Sequence, residues 1–145
     1  MREFKYEITA TEARKDWSRV IDNAVRDRPQ LIKRTRDYVW LMSDEVLETL
    51  LSDVTYLALE IKESDGSVTA NIDELDIVEN AETKEALNCK LAAEILEYAN
   101  QYYEEFSYWS SSPERKKHIA YVLQALILND TQKIGEKIRW LDGKN

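Results

Sequence analysis

The 145-residue chain has one cysteine, one histidine, three glycines and two prolines. A lone Cys89 permits no internal disulfide, which fits a reducing cytoplasm as the expected location. By themselves Cys89 and His118 cannot build a structural zinc site or a Cys-His-based triad. The chain also has no glycine-rich phosphate loop, no G-x-S-x-G and no H-E-x-x-H. Neither catalysis nor a cofactor is therefore expected. So few glycines and prolines argue against long disordered linkers. No apolar run approaches the length of a membrane-spanning helix, and Met-Arg-Glu-Phe-Lys does not read as a signal peptide.

Apolar residues make up 43% of the chain, enough to core one domain or two small ones. The net charge of -8 is unevenly spread. Residues 1–42 hold ten Lys/Arg against seven Asp/Glu, residues 43–112 hold three against seventeen, and residues 113–145 hold seven against four. A basic head on an acidic body points to different partners for different parts of the chain, although any single carboxylate is most simply a solvating group.

The head carries the clearest local signals. Thr9 and Glu12 have capping-box spacing, which starts a helix near Ala10. Ala13, Trp17, Val20, Ile21 and Ala24 then form one apolar stripe. Arg14, Lys15 and Arg19 lie off it in the first turns, where cations gain nothing from the helix dipole, and a polyanion is one reason for them to be there. Phe4, Tyr6 and Ile8 alternate as a short strand, and Asp27-Arg28-Pro29 ends the helix. Leu31-Ile32 and Val39 to Met42 read as a hairpin around the basic run Lys33-Arg34-Thr35-Arg36. Ser43, with Asp44 and Glu45, starts a helix through Leu51.

Residues 8–43 resemble the N-terminal domain of Phd/YefM antitoxins. Thr11-Glu12-Ala13-Arg14, Ser18, Pro29, Arg34 and Leu41-Met42-Ser43 fill that family's pattern in order and spacing. The hairpin turn departs from it, since Thr35-Arg36-Asp37 has no glycine; Asp37 is the residue expected to tolerate a left-handed turn. The resemblance implies an α+β strand-helix-hairpin-helix domain that dimerises and faces DNA with Arg14 and Arg34. Lys15, Arg36, Lys5 and Arg2 join that candidate surface by proximity.

Beyond it, Leu57, Leu59 and Ile61, then Val68, Ala70 and Ile72, alternate on either side of Ser64-Asp65-Gly66-Ser67, as in a β-hairpin. One continuous helix from Ser43 through Lys62 is the rival reading, but Val54, Thr55 and Tyr56 favour strand. Residues 75–82 read as a loop before a Thr83-capped helix. This hairpin-and-helix order is similar to HicB-type antitoxins, so the C-terminal part is taken as RelB/HicB-like and mostly helical. Leu87, Leu91, Ile95, Tyr98, Tyr102 and Phe106 form a long stripe ending at Ser110-Ser111-Ser112. Ser112-Pro113 starts the next helix, with Ile119, Val122, Leu123, Leu126 and Ile127 on its apolar face. A last short helix carries Ile134, Ile138 and Leu141. His118, in Arg115-Lys116-Lys117-His118, reads as the solvated start of a helix.

Tyr98, Tyr102 and Phe106 lie on the stripe and are core candidates. Tyr103 and Tyr108 fall off it and Trp109 ends the helix, so these three are the candidate partner anchors. The expected division is a dimerising DNA-binding domain at 1–55 and a hairpin-plus-helical toxin-binding domain at 56–145. The resemblance implies a type II antitoxin that binds operator DNA, represses its own operon and neutralises a RelE-type ribonuclease. The alternative is a dimeric protein-interaction adaptor that keeps the fold without binding DNA or toxin.

Overall fold

The computed structural model describes residues 4–142, and the chain divides into two compact units, Met1–Leu50 and Leu51–Asn145.

The first unit does not begin with the expected strand over residues 4–8. Glu7 N donates to Phe4 O, and Phe4 N donates to the Glu7 carboxylate at 3.1 Å. This local turn satisfies groups that a ladder would otherwise use, so β1 is only Ile8–Thr9. Thr9 also caps α1 (Ala10–Lys15) through the expected capping box: Glu12 N donates to Thr9 Oγ1 at 3.1 Å, and Thr9 N donates to Glu12 Oε1 at 2.9 Å. Those bonds from Thr9 hold the Glu12 carboxyl below its ordinary range.

The stripe Ala13 to Ala24 spans two helices rather than one. The backbone breaks at Asp16 (φ -139°, ψ 55°) and resumes as α2 (Trp17–Arg26), while Arg19 Nε pairs with Asp16 Oδ2 at 2.7 Å. The strands β2 (Gln30–Arg34) and β3 (Asp37–Leu41) form the hairpin. Its left-handed residue is Thr35 (φ 57°), not Asp37, which lies in the ladder opposite Arg34. The sheet order is β1-β2-β3, with β1 parallel to β2 and Thr9 opposite Lys33. Helix α3 (Asp44–Leu51) starts at Ser43, whose Oγ accepts from Val46 N at 3.2 Å. Among the described residues, the first unit's buried apolar ones are Ala13, Val20, Ala24 and Leu31, while Trp17, Val25, Val39 and Trp40 are about half exposed. That is a thin core for a unit of this length.

In the second unit the chain turns out of α3 with Val54 N donating to Leu51 O at 2.9 Å. Gln124, almost fully buried, donates from Nε2 to Leu51 O at 2.9 Å and to Val54 O at 3.2 Å. The rival single helix over 43–62 is thereby excluded, and β4 (Tyr56–Lys62) and β5 (Val68–Ile72) form the expected hairpin. Its loop places Gly66 at φ 90°, a conformation glycine adopts without strain, and Asp65 accepts from Ser67 N and Oγ. A 3-10 turn (Asp73–Leu75) and left-handed Asp76 lead into β6 (Ile77–Ala81), where a loop was expected.

Thr83 caps α4 (Lys84–Glu104) as expected, its hydroxyl accepting from Ala86 N. A bend at Glu105 separates α5 (Phe106–Trp109), and Ser112-Pro113 opens α6 (Pro113–Lys116). Helix α7 (Ile119–Leu128) ends at left-handed Asn129, and Asp130 caps α8 (Thr131–Glu136). Ile138 and Leu141 are not helical. They lie in β7 (Ile138–Asp142), which runs parallel to β4.

The expected hairpin of the C-terminal part is therefore the middle of a four-stranded mixed sheet, β6-β5-β4-β7, one face of which is buried under the expected helices. The core joins Tyr56, Ala58, Ala70 and Ile72 of the sheet to Leu87, Leu91, Ile95 and Tyr102 of α4, Val122 and Ala125 of α7, and Ile134 of α8. Asn88 links the pieces: its Oδ1 accepts from Trp140 Nε1 at 2.8 Å and its Nδ2 donates to Gly135 O at 3.2 Å.

Candidate nucleic-acid and partner interfaces

Arg14 and Arg34, twenty residues apart in sequence, line one open groove of about 420 Å³ in the first unit. The fold joins them because β1 lies beside β2 and runs directly into α1. Thr9, Ala10 and Thr11 form one wall, and Lys33, Arg34 and Thr35 the other. Lys15 and Arg36 are exposed but do not line the groove. Lys5 turns elsewhere, its ammonium 5.4 Å from the centre of the Tyr6 ring, and Arg2 lies outside the described residues.

The nearby carboxylates are mostly engaged. Glu12 is bonded within the Thr9 cap and Asp16 is paired with Arg19. Among the described residues Arg14, Lys15, Arg34 and Arg36 have no carboxylate partner within 4 Å, whereas Lys33 reaches Glu7 at 3.9 Å. The groove also holds the Glu7 carboxylate, which faces Lys33, but Arg14 and Arg34 lie beside hydroxyls and a backbone turn, the chemistry that receives phosphate oxygens. Sequence reasoning did not single out Lys33, Thr9 or Thr11 for this surface. The basic run around Lys33 was visible, but its place beside Thr9 depends on the parallel β1–β2 register.

The second unit presents a different surface. Tyr103 and Tyr108 stand out from the end of α4 and from α5, 62% and 69% exposed. Trp109 is half buried: its ring stacks on Tyr102 (centroids 6.3 Å apart, planes at 20°), and the Arg115 guanidinium lies 5.1 Å from its centre. Glu104 and Glu105 sit between the exposed rings at the negative end of the α4 dipole, with no basic residue in the last turn. Carboxylates there are unfavourably placed for the helix, and a cationic partner would relieve them.

His118 is buried rather than solvated. Its Nδ1 lies 2.5 Å from Tyr98 Oη, which also receives a bond from Arg115 Nη1 at 2.8 Å. Burial, and then the neighbouring guanidinium, lower its pKa from the ordinary 6.5. Among the described residues no cluster of His, Cys, Asp and Glu is arranged to hold a metal ion, and no helix is long and apolar enough to cross a membrane.

Both units fall within one family match. The model of the family described as the antitoxin of RelE/RelB toxin–antitoxin systems matches residues 4–140. A crystal structure from Syntrophomonas wolfei subsp. wolfei, of a protein assigned as the antitoxin part of a toxin/antitoxin system, is similar in fold with a TM-score of 0.90. It shares 34% identity, over 94% of this chain and 98% of that one. No protein with a curated description matches the chain. The chain belongs to this RelE/RelB antitoxin family.

Proposed function

We propose that this antitoxin acts through two surfaces. The groove of the first unit, with Arg14 and Arg34 as its cations and Lys15 and Arg36 beside it, binds operator DNA as a homodimer and represses the protein's own operon. The second unit, with Tyr103, Tyr108 and Trp109 as anchors among carboxylates, binds and neutralises a small basic ribonuclease of the RelE type. The observation that carries the DNA half is the convergence of Arg14, Lys33 and Arg34 on one groove beside the start of α1, in a chain of net charge -8. The toxin half is supported by exposed tyrosines flanked by Glu104 and Glu105, which have no ion-pair partner among the described residues, since opposite charge speeds encounter and selects the partner.

DNA binding is tested by titrating the promoter of the protein's own operon against salt. Arg14→Ala and Arg34→Ala each weaken binding and flatten the log–log salt slope by about one per lost phosphate contact. Wild-type affinity and slope in both variants would place Arg14 and Arg34 away from the DNA, whereas a wild-type chain with no salt-dependent DNA binding would remove DNA from the account and favour a dimeric adaptor.

A further inference from the structure

The sheet of the second unit covers only one of its faces. On the other, Leu57, Leu59 and Ile61 project from β4, Leu141 stands beside Leu59 on β7, and Val78 lies on β6, all between 38% and 60% exposed. Their neighbours Thr69, Asn71 and Asn80 are uncharged. In so acidic a segment the paired strand positions of this face carry one charge, Arg139, while Glu63, Glu82 and Asp73 lie just beyond the ends of their strands. Arg139 is in register with Leu57 at one end, and Glu63 follows Ile61 at the other, where it accepts from Thr69 Oγ1 at 2.6 Å.

We propose that this face binds a second copy of the chain, face to face, about a two-fold axis crossing β4 between Leu59 and Ile61. Two copies of a protein of charge -8 repel, and a nearly neutral apolar face is where they can approach. A cation-rich partner would be matched by carboxylates among the apolar side chains, and the paired strand positions of this face hold none. Arg139 and Glu63 suit a two-fold contact, which must be self-complementary. Arg139 and Glu63 lie at opposite ends of the stripe, about 20 Å apart along the strand. Reversing one copy brings each arginine to the glutamate of the other and sets Leu59 against Ile61. Sheets stacked in this way sit about 10 Å apart with strands within about 30° of one another.

Four strands about 4.8 Å apart and about five residues long give a footprint of roughly 300 Å² per copy. Standard stable interfaces bury about 800 Å² per partner. The contact is therefore concentration-dependent rather than obligate. Where the first unit also dimerises, as proposed above, it links dimers and raises the number of DNA-binding and toxin-binding surfaces held together. The sheet contact itself does not rest on that dimerisation.

Sedimentation velocity of the full chain from low to high micromolar concentration tests this. The wild-type mass should rise with concentration and Leu59→Glu should abolish the sheet-mediated rise. Arg139→Glu or Glu63→Arg alone should move it to at least about tenfold higher concentration, because like charges then face each other. The double variant Arg139→Glu/Glu63→Arg should return it to the wild-type range. Repeating the series in a Val39→Asp background separates this contact from association through the first unit, since the rise should persist there. A wild-type mass independent of concentration overturns the proposal. So does unchanged association in Leu59→Glu, or a folded double variant that does not recover. Should Leu59→Glu lose its fold by circular dichroism, the charge variants decide alone.

Discussion

His118 and Tyr98 are joined by a hydrogen bond that protonation of the imidazole would disturb. The Tyr98 hydroxyl receives from Arg115 Nη1 at 2.8 Å and lies 2.5 Å from His118 Nδ1, so its own proton belongs on the bond to the ring. The ring also bonds to the Glu74 backbone, and Asp76 and Glu114 act on it from further off. A proton on Nδ1 would leave the Tyr98 hydroxyl hydrogen without that acceptor and bring a second positive charge beside Arg115.

Burial and Arg115 place the folded pKa of His118 below the ordinary 6.5. The unfolded chain therefore binds the proton first. The stability this group contributes is complete above 6.5 and is lost as pH falls toward the depressed folded value. Urea unfolding at a series of pH values through this window should show stability falling with pH, and His118→Gln should flatten that dependence. An unchanged slope in the variant would show that His118 does not titrate as its surroundings imply.

Gln124 ties α7 to the turn between α3 and β4. Replacing it with leucine retains bulk but leaves the carbonyls of Leu51 and Val54 without their donor. Leaving buried acceptors unsatisfied costs about 1–3 kcal/mol, measurable as a lower urea midpoint at constant slope. A neutral result would mean that water replaces the amide.

Association through the first unit is expected from its thin core and from Trp17 and Val39, about half exposed at 49% and 54%. Val39→Asp should weaken it, read as a lower sedimenting mass in a Leu59→Glu background. Retained mass in that double variant would place the contact elsewhere.

The fold was legible where local chemistry decides it. The Thr9–Glu12 cap, the Asp65-Gly66 loop, the Thr83 cap and the Ser112-Pro113 start all appear where the residues placed them. It was illegible where distant pairing decides. Ile77 to Ala81 forms an edge strand only because β5 lies beside it, and Ile138 to Asp142 is extended because β4 offers a parallel edge. Apolar content also misleads about direction. In β4 the more apolar set, Leu57, Leu59 and Ile61, faces outward, while Tyr56 and Ala58 face the core. Tyr56 is held inside by its hydroxyl, which donates to Tyr121 O at 2.8 Å, and small Ala58 lets helices pack closely over the sheet. At the basic groove, Arg14 and Arg34 could be read from the resemblance, but Lys33 required the strand register.

Neutralisation of a toxin is the central claim, and co-expression tests it most directly. The full chain should restore growth to cells arrested by the product of the neighbouring gene and should co-purify with it. Replacing Tyr103 and Tyr108 together with alanine should weaken that complex by about 2 kcal/mol or more per anchor, with thermal stability retained because both rings are exposed. Continued arrest with a folded wild-type chain, and no complex with the neighbouring product, would contradict the account.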